Sequence, residues 1–514
     1  MNPTRQKITR DSLGLALTQY AVRAMSMARS FVAAKLLDPM SFGAWNALQL
    51  MMDYGALAPL GTQQGLDQLV PARLVEGDAE RTRRLKRAAL FNVVALTLLF
   101  STLGLAWASV GSSRMRANWH LSGLGLAFLC VMIVNLSNMG TSILRSYGDI
   151  GALSKWLVIQ GLVGAGLGLG LMVWLGRWGL LYGWLAGCFL AFAFVMHRGR
   201  RVIPWMPSPA VECLDLLQVG IPLYVFSASG VVMRNIDRIV VLRYLGTQAL
   251  GYYGLSVNVL TLLMAIPDSL AYVSYPQLVR RFSEAADDPA AIRDRVERLV
   301  RGVAVSLPLA AGLCALWASD LVHVLLPRYD ACVPPLRVLA FGATGLSLST
   351  FSSIVLMTVG RRIILVPAAV VLSALSGGLQ LLSLRWNGGL AGIAIAATSA
   401  YMLSGAVLLT LAAVGVGHTF GRGLGLITRC LAPTAIGALL TAGLLRFVHG
   451  AAPLDLNRLG LLFGASLAFS GMYLLLVLPF ARGIGIRSLV IESGLPILSP
   501  ILKRLTRDDS PGAP

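Results

Sequence analysis

The chain has 514 residues, of which 56 % are hydrophobic and only 13 % are Asp, Glu, Lys or Arg. That charged share is about half of what a soluble protein carries, and the mean hydropathy is +0.72. A disordered chain, a coiled coil and an ordinary water-soluble enzyme are excluded. Once about fourteen spans of roughly 20 residues each are placed, only short loops remain.

The chain holds 43 Lys and Arg against 23 Asp and Glu, a net charge of +20. In a soluble protein that excess suggests nucleic acid. In a chain this apolar, cationic loops set the orientation in the membrane, and no nucleic-acid partner is expected. The six cysteines (Cys130, Cys188, Cys213, Cys314, Cys332 and Cys430) are scattered and mostly apolar in setting. Without a CxxC or Cys/His spacing, neither metal nor disulfide chemistry is expected, and no cofactor is expected. The first apolar stretch carries Arg23 and Arg29 and has no small-residue cleavage site, so it reads as a span, not a signal peptide.

Taken in chain order, spans are predicted over 13–34, 44–66, 88–110, 120–142, 154–175, 179–196, 217–240, 251–274, 299–320, 334–357, 363–384, 389–412, 430–447 and 458–480. The fold class is therefore an all-α polytopic membrane protein of about 14 transmembrane helices. Lys and Arg concentrate in the two tails and in the even-to-odd loops, most densely in Arg81–Arg87 and between Arg280 and Arg298. This places both termini in the cytoplasm. Residues 197–217 are polar, hold Pro204, Pro207 and Pro209, and read as a cytoplasmic linker. The expected organisation is a six-helix lobe over 1–196, the linker, a second six-helix lobe over 218–412 and two further helices over 413–480. An interfacial cytoplasmic tail over 481–514 follows.

An internal repeat supports the two lobes. Leu37-Asp38-Pro39-Met40-Ser41-Phe42-Gly43-Ala44-Trp45 aligns with Leu245-Gly246-Thr247-Gln248-Ala249-Leu250-Gly251-Tyr252-Tyr253. Each copy follows the first span of its half, and Pro71 and Pro276 fall at similar places past the second span. Six spans separate the copies, so both halves enter from the same side. The repeat is then parallel, about a pseudo-two-fold axis along the membrane normal.

Charged residues inside spans carry most of the functional signal, because one at mid-bilayer costs about 2.5–3.5 kcal/mol on insertion scales. In the first span Gln19, Arg23, Ser26, Arg29 and Ser30 share one face. That stripe predicts either a wet cavity or neutralisation by buried carboxylates. In the seventh span Ser227, Arg234, Asp237 and Arg238 share a face, with Tyr224 and Asn235 beside it. Asp237 can pair with either arginine, or the cluster can reach the outer interface. Asp53 in the second span can balance Arg23 or Arg29, take a proton or bind a cation. Arg145, at the cytoplasmic end of the fourth span, and Asp268, beside Pro267 in the eighth, are weaker candidates. Arginine in both halves suits an anionic substrate, because guanidinium stays charged and grips phosphate bidentately. A diphosphate on a lipid carrier fits, and so does an acidic sugar.

The Leu37–Trp45 stretch resembles the Leu-Gly-Pro-x-x-Phe-Gly-x-Tyr signature of the polysaccharide and O-antigen (Wzx-like) flippases of the multidrug/oligosaccharidyl-lipid/polysaccharide exporter superfamily. Its second copy, with Asn235-Ile236-Asp237-Arg238, resembles that family's seventh span, and Ile266-Pro267 and Ser274-Tyr275-Pro276 resemble its eighth. Asp38 departs from the usual glycine, which affects the local turn. The resemblance implies two six-helix lobes around a cleft, alternating access and coupling to a proton or sodium gradient. The implied cargo is an undecaprenyl-diphosphate-linked oligosaccharide, moved between leaflets of the bacterial inner membrane, with a polymerase and glycosyltransferases as pathway partners. Arg23, Arg29, Arg145, Arg234 and Arg238 would hold the anion, and Asp53 and Asp237 would balance charge or couple the ion. Peptidoglycan-precursor flippases also carry two first-span arginines six apart, but their Pro-Asn-Leu-Leu-Arg-Arg stretch is missing here. A multidrug exporter of the same fold would favour acids and aromatics in its cleft. A membrane polymerase or ligase would need a large outside loop, and none is predicted.

Overall fold

The computed structural model describes residues 3–111, 113–208, 211–265, 267–268, 289–359, 362–417, 420–448 and 456–481. Among these residues the secondary structure is entirely helical. Pro276, the interfacial tail, most of the Arg280–Arg298 stretch and the Gln19 side chain lie outside them. Among the described residues, eleven helices are long and apolar enough to cross a membrane. They match the predicted spans three to seven and nine to fourteen. The first span is carried by α1 (Pro3–Leu36), and the described part of the eighth by α10 (Thr247–Leu263).

The second span departs from its prediction. A single helix was expected over 44–66, but the chain forms α2 (Pro39–Gly55), a turn, and α3 (Thr62–Glu76). The break has a local cause. Pro59 withholds a backbone donor, and Leu60 and Gly61 then take positive φ, 47° and 94°. The carbonyls freed at the break find partners. Asn135, fully buried, donates to the Gly55 carbonyl at 3.1 Å and to Thr97 Oγ1 at 3.1 Å. Thr62 Oγ1 donates to the Pro59 carbonyl at 2.7 Å.

The described chain forms two compact units. The first comprises Met1–Leu262, Leu321–Leu336 and Val366–Ala400. It contains α4 (Ala79–Gly111), α5 (Ser113–Ser146), α6 (Ile150–Val158), a π-turn at Ile159–Val163, α7 (Gly164–Leu175), α8 (Arg177–Arg198) and α9 (Glu212–Val240). Glycines let α7 and α8 pack closely. A Cβ at Gly183 would overlap the Gly168 backbone, and one at Gly187 the Gly164 backbone, so α7 and α8 meet backbone to backbone.

The polar stretch read as a linker is anchored. Ile203 is buried in one cluster with Leu85, Val93, Met139, Ile143, Val195 and Leu216. Arg198 pairs with Asp149 at 2.8 Å, and Arg84 faces Glu212 at 3.6 Å. Asn92 donates to the Cys213 carbonyl at 3.1 Å. The start of α9 therefore lies along α4. It also crosses α3 closely, since a Cβ at Gly220 would overlap the Gly61 carbonyl oxygen.

The second unit comprises Leu263–Asp320, Arg337–Leu365 and Tyr401–Pro514. It holds most of α11 (Pro289–Leu325) and α12 (Val333–Thr358), whereas most of α13 (Arg362–Arg385) and the start of α14 (Gly389–Gly415) belong to the first unit. The rest of α14, α15 (Phe420–Val448) and α16 (Leu456–Ala481) complete the second. The last helix is tied to α11 at several depths. Arg458 Nε meets Asp320 at 2.6 Å, Trp317 donates to Ser466 at 2.9 Å, and Tyr473 donates to the Val305 carbonyl at 2.7 Å. Arg301 donates to the Phe480 carbonyl at 2.7 Å.

Candidate functional site

The repeat read from the sequence is a contact in space. Asp38 caps α2 by accepting from the Met40 and Ser41 amides at 3.0 and 3.1 Å, and Pro39 opens the helix. Its counterpart Gly246 takes φ +93°, a conformation that suits glycine. The two copies thus reach the same helix start by different turn chemistry, which accounts for Asp38 where glycine is usual.

The glycines of the two copies then face each other. A Cβ at Gly43 would overlap the Thr247 carbonyl oxygen, and a Cβ at Gly251 would overlap the Pro39 carbonyl oxygen. Pro39 and Thr247 are themselves equivalent positions of the repeat, so the contact is reciprocal, as a two-fold relation requires.

The same register carries Arg29 onto Asp237. Arg29 is 4 % exposed, with its guanidinium 5.7 Å from the Trp45 ring and 5.0 Å from the Trp184 ring of α8. Among the described residues no carboxylate pairs with it. Asp237 is fully buried, accepting from the Tyr253 hydroxyl at 2.8 Å and from the Arg238 amide at 2.8 Å. In each copy the closing aromatic of the motif, Trp45 or Tyr253, holds the buried charge of the preceding helix. The face of α1 read as either a wet cavity or one neutralised by carboxylates has, in this conformation, two indole rings against Arg29.

The rest of the cluster lies where α2 faces α9. Arg238 is half-buried, and its Nε is buried without a hydrogen-bond partner. It lies within electrostatic reach of Asp53 and of Tyr54, whose hydroxyl is likewise buried and unpartnered. Asp53 itself is exposed, at the last turn of α2 just before the break. Gln64 of α3 donates to Ser227 of α9 at 3.4 Å. Arg234 is exposed and Arg23 half-buried. Arg145 stands apart from this cluster and pairs with Asp67 of α3 at 3.7 Å, both side chains largely exposed. Asp268 lies in the second unit.

Sequence reading missed Trp45, Trp184, Tyr54 and Tyr253 as partners of these charges. Trp45 and Tyr253 were legible, because both close the repeated motif. Trp184 carried no signal, since only tertiary packing brings α8 to α1. Among the described residues no group of His, Cys, Asp and Glu could hold a metal.

Residues 32–334 match the family described as "Polysaccharide biosynthesis protein". No curated protein matches the chain in sequence. Among solved structures, the chain resembles the lipid II flippase MurJ in an inward closed conformation, at TM-score 0.69 and 11 % identity, over 90 % of this chain and 98 % of that one. It also resembles a multidrug resistance MATE transporter of the MOP superfamily in its inward-facing conformation, at TM-score 0.60 and 16 % identity, over 81 % and 99 % of the two chains. An outward-facing MATE transporter of that superfamily matches at TM-score 0.56 and 17 % identity, over 83 % and 96 %. These likenesses show the all-helical fold. Because the family match covers more than half of its length, the chain belongs to the polysaccharide biosynthesis protein family.

Proposed function

We propose that the chain is a flippase, not an enzyme. It moves an anionic oligosaccharide, linked through diphosphate to a polyprenyl carrier, from the cytoplasmic to the periplasmic leaflet of a bacterial inner membrane. Both termini lie in the cytoplasm. The observation that carries this reading is Arg238: a guanidinium beside the break in the second span, with a buried, unpartnered Nε and the unpartnered Tyr54 hydroxyl nearby. Buried donors without acceptors are costly. A phosphate oxygen supplies the acceptors and the countercharge together. Arg234 extends the same face toward an acidic head group, and the carrier's tail stays in lipid.

Asp53, exposed at the end of α2, is the group proposed to take up the driving proton or sodium ion. A polymerase and glycosyltransferases of the same pathway are the proposed partners. The test is surface polysaccharide in a strain whose own copy is deleted. Arg238→Ala should cut export at least tenfold at equal protein level, and Arg238→Lys should restore part of it. Full export by Arg238→Ala would remove this site from the account.

A second reading, a peptidoglycan-precursor flippase, is favoured by one observation: Arg23 and Arg29 lie six apart on α1. It predicts rescue of a strain lacking its lipid II flippase, and the first reading predicts none. The multidrug reading fits the arginines less well, since a guanidinium face repels organic cations.

A further inference from the structure

We propose that the adjoining ends of α11, α15 and α16 bind the phosphodiester headgroup of an anionic phospholipid. Arg298, Arg422 and Arg429 hold the phosphate, and Arg301 ties the three helices together beneath it. This goes beyond the transport reading and requires only that the chain lie in a membrane.

One knot within the second unit builds the site. Arg301, with its side chain 13 % exposed, donates through Nη2 to the Phe480 carbonyl at 2.7 Å, in the last turn of α16. Its Nη1 lies 3.4 Å from Glu297 Oε1, one turn earlier in α11, and the same oxygen lies 3.7 Å from Arg429 Nη1 of α15. Cys430, buried beside Arg429, is within electrostatic reach of all three charged groups. The three helices are therefore level here. α16 ends at this level, while α15 starts at Phe420, roughly 13 Å of helix before Arg429.

The charge at the knot does not balance. Among the described side chains one carboxylate, Glu297, is shared by Arg301 and Arg429, and both distances exceed the about 2.7–2.9 Å of a close charge-assisted bond. Arg298 stands beside Arg301, three residues earlier on the helix. It is half-buried, and its Nε is buried with no hydrogen-bond partner among the described residues. Arg422 is exposed and lies two turns before Arg429 on the same face of α15. Between them Gly425 has open space where a side chain would stand, so an anion can lie against the helix. The positive end of the α15 dipole adds to the field. Setting the chain's orientation asks only for cationic loops; it does not require a half-buried arginine with an unmet donor.

A phosphodiester brings acceptors and negative charge together. A lipid suits the site better than a free anion because of what adjoins it. Toward the membrane interior Ala432 and Leu439 continue the Gly425 side of α15, and Leu439 is 74 % exposed, a surface for an acyl chain. Arginines clustered at span ends attract anionic headgroups. The bound headgroup clamps α15 to α11 where α16 ends.

The experiment purifies the full chain in mild detergent and adds phosphatidylglycerol, phosphatidylcholine, glycerol 1-phosphate or inorganic phosphate. Native mass spectrometry counts retained lipid, and thermal unfolding reads stabilisation. Phosphatidylglycerol should be retained at least tenfold better than phosphatidylcholine and should raise Tm. The soluble anions at the same concentration should leave Tm unchanged. Arg298→Gln with Arg429→Gln should cut phosphatidylglycerol retention at least fivefold. Arg446→Gln, exposed at the other end of α15, should leave it within twofold. Glu297→Gln removes the competing carboxylate and should raise retention severalfold. A damaged fold would lower it, so this variant carries the test if the double variant does not accumulate. Parent-like retention in the double variant, an equal loss in Arg446→Gln, or a fall in Glu297→Gln overturns the site. An equal Tm rise from either soluble anion assigns the arginines to a free phosphate and overturns the lipid. No arm needs cargo, so a chain that keeps this lipid preference but exports no polysaccharide would reject the flippase reading alone.

Discussion

Arg29 and Asp237 occupy the same position in the two copies of the repeat, each buried against the aromatic residue that closes its motif. The charges are opposite, and the aromatics differ to suit them. A cation is held by a ring face, for which indole is best. A carboxylate needs a donor, which the tyrosine hydroxyl supplies. The scaffold is duplicated, while the electrostatics of the two halves are complementary.

That pairing predicts a specific thermodynamic cycle. Asp237→Ala removes the buried 2.8 Å bond from the Tyr253 hydroxyl, and should cost about 1–3 kcal/mol. Tyr253→Phe removes the donor but leaves one carboxylate oxygen held by the Arg238 amide, and should also destabilise. In the double variant the losses should overlap, giving a coupling of about 0.5–3 kcal/mol. Thermal unfolding in detergent measures it, and additive losses would show that the bond contributes nothing.

Asp38 gives a pH dependence at the N-terminus of α2. Partial burial pushes its carboxyl up, but hydrogen bonds from the Ser41 side chain and amide and from the Met40 amide outweigh it and hold the carboxyl below its usual range. A depressed value means the cap stabilises the fold at pH above the ordinary carboxylate range. That contribution is lost as pH falls through the lowered value. The residue is exposed, so solvent screening keeps the charge part small. Asp38→Ala should lower stability by about 0.5–2 kcal/mol at neutral pH. Asp38→Asn should keep most of the cap and flatten the acid limb of a melting-temperature profile against pH.

Much of this architecture is legible in residues, and the limits are physical. Eleven described spans were visible as apolar runs, because a helix in lipid must present apolar side chains. The copies at Leu37–Trp45 and Leu245–Tyr253 pointed to a two-fold, and Gly43 and Gly251 realise it. The break after Gly55 was missed because Ala56-Leu57-Ala58-Pro59-Leu60 is as apolar as its flanks. Pro59 followed by Gly61 was the usable sign. The stripe on α1 did not name the partners of Arg29, Trp45 and Trp184, since periodicity names a direction and not what lies there.

The break itself makes Asn135 sensitive. Its amide bridges the Gly55 carbonyl and Thr97 Oγ1, joining α2, α4 and α5 in the apolar interior. Asn135→Leu leaves that bridge unmade and should cost about 1–3 kcal/mol, with earlier proteolysis near residues 56–61. Asn135→Ser restores a donor but not the reach to both partners, so its loss should be intermediate. A leucine variant as stable as the parent would mean that Ala58, which also donates to the Gly55 carbonyl at 3.0 Å, suffices alone.

In the second unit, the pair Arg458–Asp320 separates a charge effect from a packing effect. The side chains are 15 % and 6 % exposed and meet at 2.6 Å. Asp320→Ala takes the carboxylate from the 2.6 Å pair in a desolvated place and should destabilise by up to about 3–5 kcal/mol. Replacing both, as Asp320→Leu with Arg458→Met, takes away the whole pair and should cost less than Asp320→Ala, the remaining loss being the countercharge of Arg337. Arg337 sharpens the comparison. It lies within electrostatic reach of Asp320 and donates to the Ala315 carbonyl at 3.2 Å. A repulsive pair, Asp320→Arg facing Arg458, should therefore be worse than Asp320→Ala, since it gathers three cations at one point. Thermal unfolding ranks the variants. If the double substitution were as damaging as the single one, the contact would act by shape alone, and α16 would be held to α11 chiefly through Trp317, Tyr473 and Arg301.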